Sequence, residues 1–166
     1  TAPAPTSFQT PDAAKSEPSL SFYEDPETAI VAAILDAEES RGATLFSAWV
    51  NADSEAATTW LTRHQSLIQS EPRFLAALVE RANSSAQLLD ISERFLASYH
   101  SDIFGCYIAT APDRLRVPRA LELLDHLPPN IKSASLLEMG KSLRPDELET
   151  FVASGRLTSR ELGALA

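Results

Sequence analysis

The sequence predicts an all-α protein: a single compact multi-helix domain of about eight helices, preceded by an extended Pro/Ala-rich arm. Three observations lead there. Apolar residues make up 44% of the 166 residues, Leu and Ala are prominent, and aromatics reach only 7%; such a composition favours helix. The five glycines are scattered, and no long run alternates apolar with polar residues, which argues against a large sheet. From Ser84 to Ile108, apolar residues recur at Leu88, Ile91, Phe95, Tyr99 and Ile103. Those steps of three and four are the stripe of an amphipathic helix. Leu89, Leu96 and Tyr107 widen the stripe, so this segment is expected to be the axle on which the other helices pack.

Thr1 to Tyr23 is expected to be an extended arm, with the folded domain spanning 24–166. The arm holds Pro3, Pro5, Pro11 and Pro18 amid Ala, Ser and Thr, too little apolar surface to order itself. Phe8, Leu20, Phe22 and Tyr23 are its candidate anchors, against this domain or a partner. The first helix of the domain should start at Asp25-Pro26-Glu27, where Asp25 can cap, Pro26 suits the first helical position and Glu27 the positive helix end. Gly42 is its expected stop. A short helix should follow over Thr44–Val50, then one from Ser54 to Gln69 and one opened by Pro72.

Ser84 and Gln87 have the spacing of a capping box and should start the central helix, which has candidate breaks at Ser101-Asp102 and at Gly105. Beyond it, short helices are expected over Pro118–His126, Ile131–Ser142, Pro145–Ser154 and from Ser159 onward. Leu127, Leu143 and Leu157 each precede a polar or proline-bearing turn, at spacings of 16 and 14 residues. Pro118 and Pro145 suit first-turn positions, Thr158 with Glu161 forms a second capping box, and Gly155 suits a helix C-terminus. Helices this short need neighbours to be stable, so this third of the chain should be a stack of short helices.

The formal net charge of −9 disfavours nucleic acid and anionic membrane surfaces as partners. No apolar run approaches 18 residues. Cys106 is the one cysteine, so folding requires no internal disulfide; this favours a cytoplasmic setting and is compatible with a secreted or translocated protein. Thr1 reads as a processed N-terminus or a segment boundary.

Chemistry-bearing residues are sparse. His64, His100 and His126 show no helical metal spacing, no glycine-rich phosphate loop is present, and the pattern calls for no cofactor. Cys106 sits in an apolar context, IFGCYI, and reads as a small core residue. Acid pairs such as Glu38-Glu39 and Asp146-Glu147 suit solvated faces and helix starts. Arg114, Arg116 and Arg119 fall within six residues of an otherwise acidic chain. They read as an exposed loop and first turn, or as a contact patch for an acidic group. Over about ten residues, Arg156–Leu165 resembles the opening of some helix-turn-helix regulators.

The leading expectation is a non-enzymatic helical domain, of adaptor, scaffold or effector type, that binds another protein. A polar N-terminal arm beside a helical module is similar to the make-up of effectors delivered by bacterial pathogens. Its candidate contacts are Arg114, Arg116, Arg119, Phe8, Phe22 and Tyr23. Two alternatives stand beside it. One is an enzyme whose site assembles in three dimensions around Cys106 and a histidine; the other is a regulatory domain excised from a larger protein.

Overall fold

The computed structural model describes residues 18–166. Among them the chain forms twelve α-helices and one 3₁₀ turn, and no strand. The all-α class is as expected; the described residues form twelve helices, not about eight, because two expected helices are each split in two and a further helix, α1, lies within the expected arm.

The first helix, α1 (Leu20–Glu24), lies within the expected arm. Residues 20–23 are therefore helical rather than extended, and Phe22, only 4% exposed, joins the core. Phe8 lies outside the described residues. In α2 (Pro26–Leu35), Asp25 caps as expected, its carboxylate accepting the Thr28 N–H at 3.1 Å. The helix ends at Leu35, not at Gly42. Ala37 takes φ 58°, the Ala37 N–H donates to the Ile34 carbonyl, and the Glu38 N–H donates to the Ala33 carbonyl. This is a Schellman ending with alanine in the left-handed position that glycine usually takes. Gly42 sits inside α3 (Glu39–Ala52) instead. A Cβ there would lie 3.3 Å from Ile34 Cγ1 and 3.5 Å from Phe74 Cζ, so this glycine lets helices approach closely.

The expected helix over Ser54–Gln69 is two, α4 (Ser54–Arg63) and α5 (Leu67–Ser70), with α6 (Arg73–Val79) after Pro72. Phe46, Trp49, Trp60 and Phe74 form an aromatic cluster whose ring centroids lie 5.2–6.4 Å apart. That range is favourable for edge and offset contacts.

The axle is also two helices. α7 (Ser85–Glu93) stops, a 3₁₀ turn covers Ala97–Tyr99, and α8 runs from His100 to Ala109. The break falls before both expected positions. It is held from elsewhere: the Leu96 N–H donates to Gln65 Oε1 at 3.0 Å, and Arg94 donates to Glu55 and Thr59 of α4. Backbone groups that a continuous helix would have paired internally are thus paired across the fold.

Past the axle, α9 (Asp113–His126) begins five residues before Pro118, which lies inside the helix. The proline removes one N–H from the ladder, yet Asp113 in the first turn bridges Arg116 at 3.0 Å. α10 (Pro129–Lys141), α11 (Pro145–Ala153) and α12 (Ser159–Leu165) follow close to expectation. The Thr158–Glu161 capping box forms in both directions, and Gly155 takes φ +71°.

The helices stack in two layers. α3, α6, α8, α10 and α12 pack each on the next; α4, α7, α9 and α11 flank them. Polar contacts between stacked helices recur at separations from 29 residues (Lys132–Glu161) to 39 residues (Arg94–Glu55) in sequence, several of them near 31. Arg73–Ser40 spans 33 residues, Arg81–Asn51 spans 30 and Leu96–Gln65 spans 31. Arg144–Asp113, Arg116–Glu147 and Arg156–Asp125 each span 31. The three α9–α11 pairs advance in step, so these two helices lie side by side and run parallel. This is the geometry of a stacked helical-hairpin array.

Candidate functional site

The three histidines are separate and local. His64 stacks on Trp60, with ring centroids 4.5 Å apart, and its Nδ1 donates to the Trp60 carbonyl at 2.9 Å. His100 Nε2 donates to the Phe95 carbonyl at 3.1 Å and so helps hold the turn between α7 and α8. His126 Nδ1 donates to the Glu122 carbonyl at 2.8 Å. No group of three His, Cys, Asp or Glu residues that could hold a metal ion occurs among the described residues.

Cys106 lies on α8 at the edge of a cavity of ≈ 310 Å³ lined by Ile68, Pro72, Leu75 and Asp102. Burial, with a further push from the charge of Glu80, raises its thiol to about 12. A nucleophilic thiolate needs the opposite environment. Asp102 in the same cavity is pushed above the usual carboxylate range by burial, and then by Glu138.

The arginine trio does not form one patch. Arg116 is largely buried and bridges Asp113 at 3.0 Å and Glu147 at 3.4 Å. Glu147, 6% exposed, also accepts the Arg144 N–H at 2.8 Å. Arg119 lies over the Tyr107 ring at 4.6 Å and donates to the Tyr107 carbonyl. Arg114 alone is exposed, with no ion pair among the described residues. All three lie on α9 rather than on a loop. Of the aromatic candidates, Phe22 is core, whereas Tyr23 is 50% exposed with its ring edge-on to Phe22 at 5.1 Å.

A more voluminous concavity lies at the other end of the molecule, where α1, α2 and α3 meet. It encloses ≈ 950 Å³ and is open to solvent. Ala29, Ala32 and Ala33 face it from α2, and Thr44 and Leu45 from α3. Small residues at these positions leave the space. Its two basic groups are already engaged: Arg41 with Glu38 at 3.0 Å, and Arg73 with Glu71 at 2.8 Å. Asp36, also on the groove, has no hydrogen bond or ion pair from a side chain among the described residues. Of its lining, the sequence marks only Phe22 as a contact, with Leu20 and Tyr23 beside it, and not the α2 and α3 walls. The available signal was a run of six acids and no base from Glu24 to Glu39, which reads locally as a helix cap, a helix start and a solvated acid pair rather than as one negative field.

No family model, no curated protein and no solved structure matches the chain. No helix among the described residues is long and apolar enough to cross a membrane.

Proposed function

We propose that this chain is a helical protein–protein interaction domain, of adaptor, scaffold or effector type, that works by docking. The observation that carries this reading is the open groove between α1, α2 and α3, whose neighbourhood leaves Leu20 86%, Tyr23 50% and Leu35 80% exposed. Large apolar side chains left in water beside a concavity favour a macromolecular partner. The layered array supports the same reading, since stacked hairpins present extended surfaces built from several helices. The polar residues of the sequence that could carry chemistry are instead spent on packing: the histidines on nearby backbone carbonyls, Arg116 and Arg119 on internal partners, and Cys106 as a protonated thiol. Of the expected contact residues, Tyr23 and Arg114 keep side chains available to a partner.

The test is photocrosslinking in an extract of the native source. A photoreactive phenylalanine is placed at Tyr23, at Arg114 and, as a control, at the buried Phe104. A discrete protein adduct from Tyr23 or Arg114, absent from Phe104, is the expected result. No adduct from either surface position overturns the reading.

A further inference from the structure

We infer that the groove at the α1–α2–α3 end takes a basic amphipathic segment of another protein, one that sets Lys or Arg beside a large apolar side chain. This rests on the interaction reading above and specifies its partner. The first argument is charge. Six acids, Glu24, Asp25, Glu27, Asp36, Glu38 and Glu39, lie between Pro18 and Arg41, against Arg41 alone. Glu24, Glu27, Asp36 and Glu39 have no ion pair among the described residues. Both arginines at the groove are already bound to acids of this chain. The local field is therefore negative and uncompensated; it steers cationic partners in and disfavours anionic ones.

The second argument is shape. Ala32 is exposed on the groove-facing side of α2, with Ala29 and Ala33 beside it. A floor of methyl groups admits bulky side chains from outside and rewards apolar ones. Leu20 and Leu35, almost fully exposed on α1 and α2, give that partner apolar surface outside the groove. A segment with an apolar stripe and flanking cations matches both features, as in helix-in-groove recognition. The cavity volume would also suit a small ligand. Its openness, the unpaired Asp36 on its lining and the unpaired Glu24, Glu27 and Glu39 on the same three helices fit a longer cationic chain better.

The experiment uses the full chain and three fluorescein-labelled 14-residue peptides. One is an amphipathic Leu/Lys peptide, the second replaces each Lys with Glu, and the third replaces each Leu with Ser. Fluorescence anisotropy at 150 mM salt should show binding of the Leu/Lys peptide, none of the Leu/Glu peptide, and at least tenfold weaker binding of the Ser/Lys peptide. Ala32→Trp fills the groove at an exposed position, and the triple variant Glu24→Lys, Glu27→Lys, Asp36→Lys reverses the charge around it. Each should weaken the Leu/Lys peptide at least tenfold, with unchanged helical circular dichroism. Reversal of acids at the far end, Asp146→Lys with Glu149→Lys, should change it less than twofold.

Equal loss from the far-end reversal would mean general charge attraction and would overturn the inference. So would unchanged binding by Ala32→Trp, or binding of the Leu/Glu peptide. A chain lacking residues 1–17 that bound tenfold more tightly would assign the groove to those residues and overturn it too. If the Tyr23 crosslink to a natural partner survives both Ala32→Trp and the charge reversal, this site assignment fails while the interaction reading stands.

Discussion

Ala37 holds φ 58° at the end of α2, in the left-handed region where a Cβ crowds the backbone. Ala37→Gly should stabilise the protein by roughly 0.5–1 kcal/mol, the relief of strain less the greater freedom of an unfolded glycine. The reverse holds at Gly155, φ +71°, where an added methyl would meet no neighbour. Gly155→Ala should therefore cost about 1 kcal/mol from backbone strain alone, read from the shift in urea midpoint at constant m-value. At Cys106, burial and Glu80 hold the thiol up to about 12. At pH 8 the native chain should react with a disulfide reagent far more slowly than the urea-unfolded chain. Comparable rates would mean that the α8 environment is more open than described. The arginine trio shows why residue roles were only partly legible. Arg116 finds Glu147 31 residues away, and Arg119 finds Tyr107 on another helix. Neither partner is visible in local sequence. Arg114 keeps the exposed character that the sequence suggested.

Among the elements, helix starts marked by a capping side chain were legible because capping is local chemistry, whereas the starts expected at Thr44 and Pro118 lie at Glu39 and Asp113. Asp25-Pro26, Ser84 and Thr158–Glu161 all begin helices as read. Gln87 accepts from the Asn83 N–H rather than from Ser84, so only half of that capping box forms. The ends of α9, α10 and α11 fall within a residue of expectation, and Gly155 follows α11 at positive φ; the end of α2 and the breaks after α4 and α7 were not legible. The α7–α8 break depends on Gln65, Glu55 and Thr59, all upstream by more than thirty residues. The last helix carries a testable pH response. A hydrogen bond from Lys132, then one from the Thr158 backbone N–H, holds the Glu161 carboxyl down at about 2 against its ordinary 4.5. Between those values the unfolded chain binds more protons than the folded one. The stabilisation is complete above pH ~4.5 and is lost as pH falls towards ~2. Acid titration should release α12 in this window, seen as a loss of amide protection in its residues. Glu161→Gln should remove that pH dependence.

For the whole molecule, the stack had left a trace in the sequence: the leucine spacings of 16 and 14 add up to one hairpin period of about 30 residues. What the sequence did not reveal is that the same period runs through the N-terminal half, where the contacts that mark it are single polar pairs between unlike residues. Stacked arrays draw stability from nearest neighbours, so protection should grade from end to interior. Native-state hydrogen exchange should find the most stable amides in α6, α8 and α10, and the least stable in α12, which packs mainly on α10. Phe74→Ala removes a fully buried ring from the centre of the aromatic cluster and should cost ~3–5 kcal/mol.

The constant 31-residue offset between ion partners on α9 and α11 also has a mechanical meaning. The hairpins of α9 and α11 are clamped to each other at one register and the earlier ones at nearby separations, so tension applied to the two chain ends should peel the array one hairpin at a time. Every rupture would free about 31 residues, a gain in contour length on the order of 100 Å. A force–extension trace should show a ladder of similar steps beginning at the α11–α12 end.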